Sequence, residues 1–161
     1  MVRVLFLCLG NICRSPMAEA VFRQMVMERG LQNEIEIDSA GLGDWHVGDK
    51  PHRGTREILD RYKIPYDSIY SRQITSKDLA DFTYIVAMDE DNIEGLSRVG
   101  KTPAARVFRL LDLVDEAQEK NVPDPYFTGN FDEVYRLVRV GCERLLHKII
   151  AHHALPQNSG N

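Results

Sequence analysis

Cysteine is scarce in this chain of 161 residues: Cys8, Cys13 and Cys142 are its only three. So small, odd and scattered a set builds no disulfide framework and fits a reducing compartment, so the cytoplasm is the expected location, with secretion lacking a signal peptide left open. An excess of positive charge is missing too. Twenty Lys and Arg stand against 24 Asp and Glu, a net charge of -4, which argues against a broad phosphate-tracking surface and against nucleic acid as a partner, while still allowing a local basic pocket. Long hydrophobic runs are also lacking. Val2 to Leu9, interrupted by Arg3, falls far short of the roughly 20 residues of a membrane helix. No small-residue cleavage site follows it, so neither a membrane span nor a signal peptide is expected. Nor do the five histidines, His46, His52, His147, His152 and His153, show zinc spacing with cysteine or carboxylate. They read as a solvated face, and no metal or cofactor is expected.

What is present is a pattern of alternation. Val2 to Cys8 is an apolar run rich in branched residues, ended by Gly10 and Asn11, which predicts a strand buried on both faces. Ser15 as N-cap, Pro16 at the first helical position and Ala18, Val21, Phe22 and Met25 at helical spacing predict a helix running to Gly30. A second strand is expected over Ile35 to Ser39, a long loop over Gly41 to Gly54, and a helix near Thr55 to Tyr62. Tyr84 to Met88 reads as a buried strand, followed by Asp89, Glu90 and Asp91 where negative charge suits a helix start. Val107 to Leu111 reads as the last strand. Asn130 with Glu133 makes a capping-box start for a closing helix striped by Phe131, Val134, Val138, Leu145 and Ile149, with Cys142 in its core face. Strands alternating with helices predict an α/β fold, a parallel sheet covered on both faces, with ligands at the carboxyl ends of the strands. One domain over residues 1–155 is expected, with a flexible tail over 156–161.

The first strand end carries the chemistry. Cys8-Leu9-Gly10-Asn11-Ile12-Cys13-Arg14-Ser15 puts a thiol and an arginine between a strand and a helix. Such a loop can turn successive N–H groups inward as a nest for an oxyanion, with the helix dipole adding to the field. Gly10 and Asn11 tolerate the left-handed backbone it requires. The same field favours a thiolate at Cys8, a nucleophile. Arg14 offers two phosphoryl oxygens a planar fork that lysine lacks. Ser15 can cap the helix, donate to the departing sulfur, or both. For a proton donor to the leaving oxygen the best candidate is Asp124, stiffened by Pro123 and Pro125. Without the cysteine loop, that motif reads rather as an ordinary Asp-Pro turn before a helix.

These residues resemble the low-molecular-weight protein tyrosine phosphatase family. The resemblance covers nearly the whole chain, through Val4 to Ala20, Asp38 to Gly41, Trp45, Arg72 to Ile74, Met88-Asp89 and Asp124 to Tyr126. It implies a four-stranded parallel sheet, a phosphocysteine intermediate, phosphotyrosine proteins as substrates, inorganic phosphate as product, and no metal. It makes Cys8 the nucleophile, assigns phosphate binding to Arg14 and the amides of Leu9 to Ser15, and makes Asp124 the general acid. Asn11 and Ser39 would brace the loop, and Cys13 would trap oxidised Cys8 as a disulfide, though it reads equally as a buried filler. Trp45 and Tyr126 would wall the cleft, although singly each could be an ordinary core or surface aromatic. Two departures stand out. Phe127 occupies the place of a second tyrosine, and Ser68, Ile69 and Tyr70 fill the stretch where many relatives carry a histidine, whose bonds must be replaced or forgone.

Three alternatives fit the loop less well. Arsenate reductases with this loop need further mobile cysteines, and none lies between Cys13 and Cys142. Protein arginine phosphatases of this kind carry threonine where Ile12 stands, and the branched side chain here favours an aryl ester. A phosphate reader without catalysis would lack the nucleophile or the acid, yet Cys8, Arg14 and Asp124 are all present.

Overall fold

The computed structural model describes residues 1–103 and 106–156. Four strands, β1 (Val2–Cys8), β2 (Ile35–Gly41), β3 (Tyr84–Ala87) and β4 (Val107–Arg109), form one parallel sheet in the order β2-β1-β3-β4. Between and after them come α1 (Arg14–Glu28), α2 (Arg53–Arg61), α3 (Ser76–Asp81), α4 (Glu90–Leu96), α5 (Pro125–Thr128) and α6 (Phe131–His153).

The pleat of β1 explains its continuous apolar run. Val2, Val4, Phe6 and Cys8 enter one core with Phe22, Val86, Val138 and Cys142, while Leu5 and Leu7 enter a second with Ile85, Leu79 and Leu96. The first core lies under α1, α2 and α6, and the second under α3 and α4. A strand covered on both faces can afford no polar side. Cys142 is fully buried there, as expected, with its thiol directed at the Ala18 carbonyl.

Several boundaries differ from expectation. Helix α1 begins at Arg14 with Cys13 at its N-cap position and no side-chain cap, so Ser15 does not cap it. The last strand stops at Arg109 because Leu110–Leu113 coil into a 3₁₀ turn that buries Leu110 and Leu111. Helix α3 carries a Thr75 capping box closed by Asp78, a signal the sequence reading passed over. At α6 only half of the expected box forms: Asn130 accepts from the Glu133 N–H, while the Glu133 carboxylate pairs with Arg136. The expected flexible tail lies, beyond Pro156, outside the described residues. Among the described residues no helix is long and apolar enough to cross a membrane.

Because β1 is flanked by β2 on one side and β3 on the other, the chain leaves it in opposite directions. The crevice at its carboxyl end is the topological switch point of the sheet, and Cys8 stands there.

Candidate active site

Five carbonyls of the loop between β1 and α1 are tied outward. Those of Cys8 and Leu9 accept from the Leu42 and Gly43 N–H groups, that of Ile12 from His52 N–H (2.6 Å), that of Cys13 from the Thr55 hydroxyl (3.0 Å) and that of Gly10 from the Ser71 hydroxyl (3.2 Å). With the carbonyls turned out, the N–H groups of Leu9, Gly10, Ile12, Cys13, Arg14 and Ser15 have no acceptor among the described residues, which is the nest an oxyanion needs. Of the two residues that tolerate a left-handed backbone, Asn11 adopts it, at φ 55°, and Gly10 does not. Gly41, the last residue of β2, runs so close beneath it that a Cβ there would lie 3.0 Å from the Asn11 backbone nitrogen.

The sulfur of Cys8, 3% exposed, lies 2.9 Å from the Ser15 hydroxyl and accepts from the Asn11 N–H at 3.3 Å. The Asn11 amide nitrogen donates to Ser15 Oγ (2.7 Å) and to Ser39 Oγ (3.0 Å), and its oxygen accepts from the Arg72 N–H (3.0 Å). Asn11 and Ser39 therefore brace the loop from behind. Neither Asn11 nor Ser15 lines the cleft with its side chain.

Arg14 is almost wholly buried. One nitrogen of its guanidinium donates to Asp89 (2.5 Å) and to the Val122 carbonyl (2.9 Å), and the other faces Asp124 at 3.5 Å. Burial opposes its charge, yet the Cys8 sulfur and the Asp89 carboxylate outweigh that and hold its pKa above the ordinary value. Asp89 is a site residue the sequence reading missed. It lies 75 positions from Arg14; the resemblance takes in Met88-Asp89 but gives Asp89 no role at the site. It also caps α4, accepting from the Asn92 N–H (2.8 Å). Asp124 caps α5, one carboxylate oxygen accepting from the Tyr126 N–H (3.1 Å), while the other turns toward Arg14 at 3.5 Å. The Cys13 thiol is pushed up to about 12 by burial and by the charges of Cys8 and Asp124, so it stays protonated at neutral pH.

A cleft of about 370 Å³ opens above the loop, lined by Cys8, Leu9, Gly10, Ile12, Cys13, Arg14 and Asp124, with Trp45, His46, Tyr126 and Phe127 as its rim. Trp45 is 66% and Phe127 78% exposed, an unusual placement for large apolar groups. Gly43 makes room for the indole, since a Cβ there would fall 2.0 Å from a Trp45 ring carbon. His46 and Phe127 belong to this rim although neither was expected there. The reading of the histidines as a solvated face fails at three positions. His46 is in the cleft, His52 accepts from the Gly54 N–H and stacks on Phe131, and His153 hydrogen-bonds the Tyr84 hydroxyl at 2.8 Å. A second groove of about 430 Å³ between α1 and α6, lined by residues such as Tyr62, Tyr135 and Arg139, contains none of the loop residues. Among the described residues no cluster of His, Cys, Asp and Glu is arranged to hold a metal ion.

Comparison with known proteins agrees with this geometry. The family model for low molecular weight phosphotyrosine protein phosphatase matches residues 3–155. The chain is 53% identical to the low molecular weight protein-tyrosine-phosphatase YfkJ of Bacillus subtilis over 92% of its own length and 96% of the relative's. The crystal structure of YfkJ superposes with a TM-score of 0.92, at 50% identity, covering 94% of this chain and 96% of that one. The PtpA phosphatase of Staphylococcus saprophyticus is 44% identical over 93% of this chain and 95% of its own. A Drosophila arginine phosphatase matches with a TM-score of 0.82 and 33% identity, covering 98% and 99% of the two chains. The chain belongs to the low molecular weight phosphotyrosine protein phosphatase family.

Proposed function

We propose that this protein is a phosphotyrosine phosphatase working through a phosphocysteine intermediate. The observation that carries the reading is Cys8, held by the Ser15 hydroxyl and the Asn11 N–H, at the base of a cleft whose wall brings Asp124 to within 3.5 Å of Arg14. The Cys8 thiolate attacks phosphorus in line; the S–P bond forms as the P–O bond to the tyrosine breaks. The loop N–H groups and Arg14 hold the three equatorial oxygens while charge moves through them. The Asp124 carboxyl gives its proton to the departing phenolate. In the second half, Asp124 as carboxylate takes a proton from water, whose oxygen attacks phosphorus; the S–P bond breaks and inorganic phosphate leaves. Ser15 supports the returning thiolate.

Trp45, Tyr126 and Phe127 supply flat apolar walls for a phenyl ring, which fits an aryl ester better than a serine or threonine ester. One observation favours a second reading: the structural likeness to an arginine phosphatase. Ile12, 8% exposed in the cleft floor, is the residue expected to decide between them. The substrates are phosphoproteins; we place the reaction in a reducing cytoplasm, where Cys8, Cys13 and Cys142 stay free thiols and Cys13 can reversibly trap an oxidised Cys8. Residues 1–155 serve as one catalytic domain.

The test is to assay wild type, Cys8→Ser and Ile12→Thr, with chelator and reductant, against phosphotyrosine, phosphoserine and phosphoarginine peptides. Turnover of phosphotyrosine that vanishes in Cys8→Ser is expected. Phosphoarginine turned over faster by wild type, or a substrate ratio unmoved by Ile12→Thr, would overturn the specificity reading.

A further inference from the structure

Glu19 is a carboxylate 5% exposed that the reaction does not use. It sits on α1 one turn after the loop and faces the end of β2. Its two oxygens are both engaged: one accepts from the Ser39 hydroxyl at 2.5 Å, the other from Arg23 at 2.6 Å. Arg23, a turn further along α1, also donates to the Ile37 carbonyl at 3.1 Å, which fixes it across the edge of β2.

The direction of each bond follows from chemistry. A carboxylate only accepts, so Ser39 must spend its single proton on Glu19. Ser39 Oγ can then only accept from Asn11, which sets the Asn11 amide with its nitrogen toward Ser39 and Ser15. The Arg72 N–H at the Asn11 oxygen agrees with that orientation. Ser15 Oγ, accepting from Asn11, keeps its own proton for the Cys8 sulfur 2.9 Å away. An unbroken chain thus runs from Arg23 through Glu19, Ser39, Asn11 and Ser15 to Cys8, with every donor assigned.

We propose that the Glu19–Arg23 pair is a positioning element for the nucleophile, an acceptor-only terminus that fixes the donor order of this buried chain and so leaves the Ser15 hydroxyl to donate to Cys8. The Ser39 hydroxyl and Arg23 are what favour the charged form of the terminus. Burial pushes the Glu19 carboxyl up and Asp38 adds to this, while the bonds from Ser39 and Arg23 pull it down; the balance leaves it above its ordinary value. The charged groups around it are Arg23 on its own helix and, from β2, Asp38, which pairs with an Arg72 that Asp78 shares. Without Arg23 only the Ser39 hydroxyl is left to offset burial.

The proposal rests on Cys8 being the nucleophile, but its test reads the thiol without turnover. The rate of Cys8 alkylation by iodoacetamide against pH is measured for wild type, Glu19→Gln, Arg23→Gln and Arg23→Lys, with thermal unfolding as a control for folding. The two explanations predict opposite signs for Glu19→Gln. Were the carboxylate only a nearby negative charge, its removal would make the thiolate easier to form and lower the midpoint. An anchor of the donor order predicts the reverse: a glutamine amide can donate to Ser39, whose proton then competes with the Asn11 N–H, and the midpoint rises by about half to one pH unit as the bond to the Cys8 thiolate weakens. Arg23→Gln, at a position one-third exposed, should raise it likewise. Arg23→Lys should return it toward wild type, and the Glu19→Gln/Arg23→Gln double variant should add little to either alone. Midpoints that stay put or fall in Glu19→Gln overturn the proposal and leave the pair a structural ion pair. Alkylation that behaves as expected without phosphatase activity would sustain the positioning role and sink the catalytic reading instead.

Discussion

Asp89→Asn separates what Asp89 does for Arg14 from what it does for α4. Asparagine caps helices as well as aspartate, so the bond from the Asn92 N–H can survive. The charged acceptor at 2.5 Å from Arg14 cannot, because the amide must present its NH₂ to the guanidinium or give up the cap. A hydrogen bond between charged groups contributes roughly 1.5–3 kcal/mol. The Asp89 side chain is 20% exposed, and the Val122 carbonyl and Asp124 still face Arg14. The buried cation is therefore not orphaned, and the loss should fall near the middle of that range, about 2 kcal/mol. At about 2–4 °C per kcal/mol for a chain of this size, Tm should drop by about 4–8 °C. Activity should suffer more than stability suggests, since displacing a phosphate-holding group by about 1 Å can cost a hundredfold in rate; a ten- to hundredfold fall in kcat/KM toward an aryl phosphate is expected. Thermal unfolding and steady-state kinetics on Asp89→Asn and Asp89→Ala, the latter losing the cap as well, give the comparison. Wild-type values for both quantities in Asp89→Asn would refute the claim that Asp89 positions Arg14.

Three further outcomes are expected. Phe127→Ala should raise KM for phosphotyrosine peptides severalfold and leave Tm within about 1 °C, because the ring is 78% exposed and surface changes away from buried features move stability by under about 0.5 kcal/mol; a large drop in Tm would show the ring to be structural. Cys13→Ser should retain turnover but lose its recovery by dithiothreitol after peroxide, since the sulfur that would cap oxidised Cys8 is gone; full recovery, measured as regained activity, would remove Cys13 from that role. Asp78 is held below the usual carboxylate range, burial opposing its charge and the hydrogen bonds from Arg72 and Thr75 outweighing it. A depressed carboxylate stabilises the fold above its unfolded value and loses that contribution as pH falls through its folded one, so the gap in urea midpoint between wild type and Asp78→Asn should be present at pH 7 and shrink below about pH 3.8. A gap that widens in acid would contradict the assignment.

Most of the fold was legible because its signals are local. The run from Val2 to Cys8 and the stripe of α6 depend on neighbours a few residues away, and the tertiary structure had only to agree with them. The errors fall where a long-range contact outbids a local preference. Ser15 has the composition of an N-cap, yet its hydroxyl is claimed by Cys8 and Asn11. The strand pattern of Leu110 and Leu111 is redirected into a turn that buries both. Of Gly10 and Asn11, both able to take a left-handed backbone, Asn11 alone does.

The site divides along the same line. Everything between Cys8 and Ser15 could be read as one segment, since strand, nest and helix start are contiguous. Asp124 needed the stiffness of its flanking prolines and a chemical demand for an acid, and the structure brings it to Arg14 across 110 positions. Asp89, His46, Glu19 and Arg23 were assigned no role in the sequence, because each matters only through the partner it meets. Asp89 meets Arg14 only because β3 pairs with β1 in register, Leu7 beside Ala87, which puts the residues after both strands at one crevice. Glu19 meets Ser39 because β2 pairs with β1 on the other side, Phe6 beside Ser39. The two neighbours of the central strand thus deliver opposite supports to a single loop: β3 brings the carboxylate that holds the arginine, and β2 brings the hydroxyl that joins Asn11 to Glu19. Strand order, which no motif encodes, is what makes them one site.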